Sequence, residues 1–169
     1  MIQLGESPTS VFNVGGLGAE IISQKTSSLL SKHQLEIELG IILENKSLFV
    51  TYHPETLSSD NSVKDFSVLL DALDELEGTT ILFSLPNADT GFTEITNLIN
   101  SFVVSDPKKR KAFHSLGQLK YFSVMQCVDA VVGNSSSGIL EAPSFNIGTI
   151  NIGDRQKGRL KSDSVIDIQ

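Results

Sequence analysis

Gly133-Asn134-Ser135-Ser136-Ser137-Gly138 sets four small polar residues between two glycines, directly after the apolar run Ala130-Val131-Val132. At a strand-to-helix junction such a stretch exposes backbone N–H groups at the positive end of a helix dipole, a cradle for phosphate. Ser135 and Ser136 add hydroxyl donors there. Glu141 lies a turn or more further in, far enough to spare a phosphate at the tip and close enough to accept hydrogen bonds from an adjoining ribose. The plainer alternative makes Ser135 only a helix cap and Glu141 a solvated or capping carboxylate. The block is not a Walker loop, because no Gly-Lys-Ser/Thr follows. It is not a nucleophile elbow either, because Ser137 stands where that motif needs its second glycine.

His53 ends the apolar run Ser47–Tyr52, and Pro54 fixes the turn after it, which aims the imidazole into a cleft rather than a core. Histidine is the side chain suited to proton transfer near neutral pH; a turn histidine without chemistry is the alternative. Asn87 and Asp89 follow the next apolar run and also read as turn former and helix cap, the preferred reading for Asp89. Arg155, Lys157 and Arg159 place three cations within five residues beside the proposed phosphate site, or else decorate a solvated loop. Lys108-Lys109-Arg110-Lys111 precedes a strand and reads as a solvated turn. His33 and His114 have no metal-ligand spacing with His53, so neither a metal nor a cofactor is implied.

These residues need a frame that brings strand ends together. Short runs rich in Val, Ile and Phe alternate with stretches of helical period, which argues βαβ units and an α/β fold built on a doubly wound parallel sheet. Strands are predicted at 47–52, 79–84, 111–115, 130–132 and 149–152, with 165–168 as an edge strand. Between them Val63, Phe66, Leu69, Leu70, Leu73 and Leu76 mark one helix, with Ser62 and Asp65 as a capping box and Gly78 as its stop. Phe92 to Phe102 marks a second helix, 118–128 a third, and 135–145 a short fourth. In such a sheet ligands bind beyond the carboxyl ends of the strands, where the polar blocks above fall.

With 13 basic and 20 acidic residues the net charge is 13 − 20 = −7, which argues against nucleic acid or an anionic membrane as partner. The single Cys127 excludes an internal disulfide framework, and no signal peptide or apolar span is visible, so a cytoplasmic setting is expected. Val11–Val14 is strand-like, 26–39 reads as a polar helix carrying little core, and the chain stops on a strand. A fragment is therefore expected: 1–24 as the end of an N-terminal domain and interdomain segment, 25–46 as a linker helix, and 47–169 as a nucleotide-binding domain.

Val50-Thr51-Tyr52-His53-Pro54-Glu55-Thr56, Pro86-Asn87-Ala88-Asp89, the Gly133–Gly138 block with Glu141, and Asn151-Ile152-Gly153-Asp154-Arg155-Gln156-Lys157-Gly158-Arg159 together resemble the C-terminal half of UDP-N-acetylglucosamine 2-epimerases. The His-Pro, Gly-Asn-Ser-Ser and Gly-x-Arg-Gln blocks resemble the hydrolysing branch, which releases N-acetylmannosamine and UDP. The resemblance implies one Rossmann-like half of a GT-B-like architecture. It implies that Ser135 and Ser136 hold the diphosphate, Glu141 accepts from the ribose, the loop at Leu116 reads uracil through its backbone, and His53 assists departure of UDP. Asn87 and Arg155 match positions lining the same cleft. The partners it implies are UDP-N-acetylglucosamine or UDP, the missing N-terminal domain, and further copies in a homo-oligomeric parent, with no nucleic acid, membrane or cofactor. A non-hydrolysing epimerase, a glycosyltransferase half of the same architecture and a non-catalytic UDP-binding module stand as alternatives.

Overall fold

The computed structural model describes residues 1–54, 59–86 and 92–169, without the side chains of residues 17 and 59–61. Its strands are β1 (Lys46–Thr51), β2 (Thr79–Ser84), β3 (Arg110–Phe113), β4 (Ala130–Gly133), β5 (Gly148–Ile152) and β6 (Val165–Ile168). They form one six-stranded sheet in the order β3-β2-β1-β4-β5-β6, parallel throughout. β1 pairs with β2 from Lys46↔Thr79 to Thr51↔Ser84, and β4 lies on its other side from Leu48↔Ala130 to Thr51↔Gly133. The order thus reverses between β1 and β4. Beyond the carboxyl ends of that pair the connecting chains part in opposite directions and open a crevice.

Because successive strand residues point to opposite faces, Phe49 and Val50 serve different cores. On one face α3 (Ser59–Asp74) and α4 (Phe92–Ser105) cover Val50, Ile81, Phe83 and Val132 with Phe66, Leu73, Ile95 and Ile99. On the other, α2 (Lys32–Leu39), α5 (Gly117–Cys127) and a 3-10 turn at Ala142–Phe145 pack Leu35, Leu39, Val124, Met125 and Ala142 against Phe49, Leu82 and Val131. Burial on both faces explains why β1 and β2 read as unbroken apolar runs. Between α3 and β4–β6 runs an apolar groove of about 730 Å³, lined by Leu69, Leu73, Val132, Ile150, Ile152 and Ile168.

Several expectations are corrected. Residues 11–14 form no strand; Phe12 and Val14 are 77% and 84% exposed, and an isolated extended segment has no ladder to join. A helix, α1 (Leu17–Lys25), follows instead. The segment 26–39 is a 3-10 turn at Thr26–Ser28 and then α2, whose Leu35 and Leu39 are fully buried, so it contributes core after all. A capping box at Ser31 and Gln34 starts α2: Ser31 Oγ accepts from the Gln34 N–H at 3.4 Å, and Gln34 Oε1 accepts from the Ser31 N–H at 3.0 Å. Two leucines four apart suffice to anchor a short helix that is otherwise polar. Ser62 is no cap, because α3 begins three residues earlier and buries it; α3 also ends at Asp74, ahead of Gly78, which turns the chain into β2 at φ 60°. Arg110 is not in a solvated turn. It lies in β3 with its guanidinium 3.7 Å over the Phe102 ring, donates to the Phe102 carbonyl at 3.2 Å, and pairs with Asp74.

Candidate functional site

At the reversal point the last backbone pair is Thr51↔Gly133. Gly133 has φ 134°, and a Cβ there would stand 2.1 Å from the Thr51 carbonyl oxygen, so only glycine allows β4 to approach β1 this closely before turning. Asn134 follows, 1% exposed. Its backbone N–H donates to Thr51 O at 3.2 Å, its Oδ1 accepts from the His53 N–H at 2.7 Å, and its Nδ2 donates to His53 O at 2.8 Å. Its own carbonyl accepts from Arg155 Nη1 at 3.0 Å and from Gln156 Nε2 at 2.7 Å. The loops after β1, β4 and β5 are therefore tied together at one residue.

After Asn134 the chain passes through half-buried Ser135 and Ser136 into α6 (Ser137–Leu140). The N–H groups of Ser135 and Ser136 have no backbone acceptor among the described residues, while Ser135 Oγ accepts from the Ser137 hydroxyl at 3.2 Å. α6 is a single turn of four residues, so the summed dipole expected here is small, and an anion would meet local N–H and O–H donors instead. Gly138 packs on β5: a Cβ would meet Thr149 Cγ2 at 2.6 Å, and Thr149 Oγ1 donates to Gly138 O at 2.7 Å.

Beside this turn lies a cavity of about 380 Å³ lined by His53 and Ser84 at the ends of β1 and β2, the loop 114–116 after β3, Gly117, Gln118 and Tyr121 of α5, and Glu141. Burial holds the Glu141 carboxyl above the usual carboxylate range. Burial likewise pushes the Tyr121 phenol up to about 12, opposed by its hydrogen bond with Ser137 and reinforced by the charge of Glu141. The cavity thus combines a half-buried carboxyl acceptor, an imidazole and a loop of backbone polar groups, next to a turn whose Ser135 and Ser136 N–H groups have no backbone acceptor among the described residues. That set fits a ligand with a phosphate at one end and hydrogen-bonding heterocycle and hydroxyl groups at the other.

Of the residues singled out in the sequence, His53, Leu116 and Glu141 line this one cavity, and Ser135 and Ser136 form the adjoining turn. Leu116 caps α5 and is half-buried against the core. Arg155 reaches the same place through Asn134, whereas Lys157 is exposed and bonded to Asp154 at 3.0 Å, and Arg159 is exposed. Asn87, Asp89, Glu55 and Thr56 lie outside the described residues. Sequence reasoning assigned nothing to Asn134, Gln156, Tyr121 or His114. Gln156 is 2% exposed within an otherwise polar loop, a burial that no periodicity announces.

Known proteins share this sequence and this frame. The family model described as UDP-N-acetylglucosamine 2-epimerase matches residues 1–169. The chain is 41% identical over 167 residues to the GDP/UDP-N,N'-diacetylbacillosamine 2-epimerase (hydrolyzing) of Campylobacter jejuni, covering 99% of this chain and 43% of that protein. It is 34% identical over 170 residues to the UDP-N,N'-diacetylbacillosamine 2-epimerase (hydrolyzing) of Legionella pneumophila, again covering 99% and 43%. The chain spans less than half the length of these relatives. The fold matches the Methanocaldococcus jannaschii UDP-GlcNAc 2-epimerase solved in complex with UDP-GlcNAc and UDP, with a TM-score of 0.66 at 12% identity over 99% of this chain and 46% of that one. With its whole length matched, the chain belongs to the UDP-N-acetylglucosamine 2-epimerase family.

Proposed function

We propose that this chain is the nucleotide-holding, C-terminal half of a hydrolysing 2-epimerase acting on UDP-N-acetylglucosamine or a closely related UDP-linked 2-acetamido sugar. The observation that carries the reading is one cavity at the strand-order reversal shared by His53, Leu116 and Glu141, flanked by the Ser135–Ser137 turn. In this reading Ser135, Ser136 and Arg155 hold the diphosphate, Asn87 adds to the same wall, Glu141 takes the ribose hydroxyls and the loop at Leu116 meets uracil. Residues 47–169 form the nucleotide-binding domain, with 1–24 and 25–46 belonging to the passage from an N-terminal domain.

The reaction would proceed by loss of the proton at carbon 2 and departure of UDP from carbon 1, giving a glycal. Water then adds, its hydroxyl to carbon 1 and a proton to carbon 2 from the opposite face. His53 stands on the nucleotide side, where negative charge develops on the β-phosphate and glycosidic oxygen, and there an imidazolium stabilises it. A base for carbon 2 must sit within about 3 Å of that carbon's proton or one water away, and the facing domain supplies it. The parent works as a cytoplasmic homo-oligomer in the supply of sialic-acid-type precursors.

Calorimetric titration of the chain with UDP, UMP and ADP tests this. Weak binding of UDP, tighter than UMP or ADP, is expected, since the opposing wall is absent. Equal binding of UDP and ADP would refute a uracil-reading loop, and no binding at millimolar UDP would refute a preformed site on this half.

A further inference from the structure

The main-chain ladder between β1 and β4 ends at Thr51↔Gly133, because the chains beyond must diverge at the reversal of strand order. Yet His53, two residues past the last pair, has both its N–H and its C=O bonded across the gap, at 2.7 and 2.8 Å, by the side chain of Asn134. A carboxamide presents an acceptor oxygen and a donor nitrogen side by side in one plane, so it can answer both the N–H and the C=O of a single residue. Here it replaces the missing rung. The mimicry is directional: the group spans to one residue only, and that residue is the histidine on the cavity wall.

We propose that Asn134 is a positioning residue, which extends the β1–β4 ladder by one side-chain rung so that His53, Ser135 and Arg155 are held in one register against the diphosphate. This rests on the nucleotide-site reading above. Three features support it. Asn134 is 1% exposed, so its bonds do not compete with solvent. Both ends of its amide are spent on His53, and neither on the Ser135–Ser137 turn that begins immediately after it. Its carbonyl accepts two donors from the loop after β5, the Arg155 guanidinium and the Gln156 amide. Gln156 is itself 2% exposed, so that loop is held from inside and Arg155 is left with further N–H groups for an anion. Aspartate could not do the same work, since it cannot donate to the His53 carbonyl, nor could serine, which cannot span both groups.

The test compares wild type, Asn134→Ala, the isosteric Asn134→Asp and Leu35→Ala, a core change in α2, by heteronuclear NMR without ligand and by UDP titration below every melting temperature. Asn134→Ala is expected to shift the His53 amide and ring resonances and the Arg155 and Gln156 signals, to leave His33 on α2 unmoved, and to weaken UDP at least tenfold. Leu35→Ala should lower the melting temperature without either change. Should Asn134→Ala not fold, Asn134→Asp keeps the shape and one bond, and its His53 resonances alone decide. Unmoved His53 resonances in a folded Asn134 variant overturn the proposal, as does an equal loss of UDP affinity in Leu35→Ala. If wild type binds no UDP, the nucleotide reading fails, and the ligand-free spectra still decide whether Asn134 positions His53.

Discussion

Replacing Glu141 by glutamine should strengthen the empty chain and weaken its hold on UDP, two changes of opposite sign from one atom. Burial raises the Glu141 pKa, so the fold disfavours its ionised form, and among the described residues no hydrogen bond or ion pair holds the carboxylate. Glutamine has the same shape without the charge, so the desolvation cost disappears and the melting temperature at pH 7 should rise. For the ligand, a charge-assisted bond worth about 1.5 to 3 kcal/mol becomes a neutral one worth about 0.5 to 1.5 kcal/mol. The difference, about 1 to 1.5 kcal/mol per ribose hydroxyl, is about a five- to twelvefold weaker Kd. The pH dependence follows with its sign: a carboxyl whose folded pKa is raised favours the fold while protonated, and that contribution is lost as pH rises through the raised value. UDP affinity of the wild type should move the other way, rising as Glu141 ionises, and Glu141→Gln should show neither trend. Calorimetry and thermal melts from pH 4 to 8 on both proteins read all four quantities. A more stable variant with unchanged affinity would refute the ribose contact, and a less stable one with unchanged affinity would make Glu141 a support of its turn.

Gly133→Ala puts a Cβ 2.1 Å from the Thr51 carbonyl at φ 134°, so it should cost more than about 2 kcal/mol in urea unfolding; an unchanged midpoint would refute the close approach at the strand-order reversal. Tyr121, held at about 12 against an ordinary 10.0, keeps its proton in the fold after the unfolded chain has lost it, so stability should fall by about 2 kcal/mol between pH 10 and 12. Tyr121→Phe should flatten that alkaline limb, and a limb that persists in the variant would place its origin elsewhere.

Local patterns carried the architecture because they report on burial one element at a time. The run Leu48-Phe49-Val50 is apolar without alternation since helices cover both faces of β1, and Ile95, Ile99 and Phe102 keep helical spacing since one face of α4 meets the sheet. Where a residue's burial depends on a neighbour far along the chain, the pattern misleads. α2 looks polar because only Leu35 and Leu39 point inward, and Arg110 looks solvated because Phe102 and Asp74, which hold it, lie on α4 and α3.

The chemistry divides in the same way. Composition, the strand-to-helix glycine block and the polar residues after each strand determined by themselves which residue types stand at the ligand-binding edge of a parallel sheet, since that edge follows from strand direction alone. The tertiary structure decided which of them meet. It brought His53, Leu116 and Glu141 to one cavity although 88 positions separate the first from the last, and it reduced α6 to one turn. Asn134 shows the reason most directly. In the sequence it is one small polar residue among several, and its role exists only through His53, 81 residues earlier, and Arg155 and Gln156, some twenty residues later. A hydrogen bond needs two groups within about 3 Å at a set angle, and that distance is fixed only when the strand order closes the sheet.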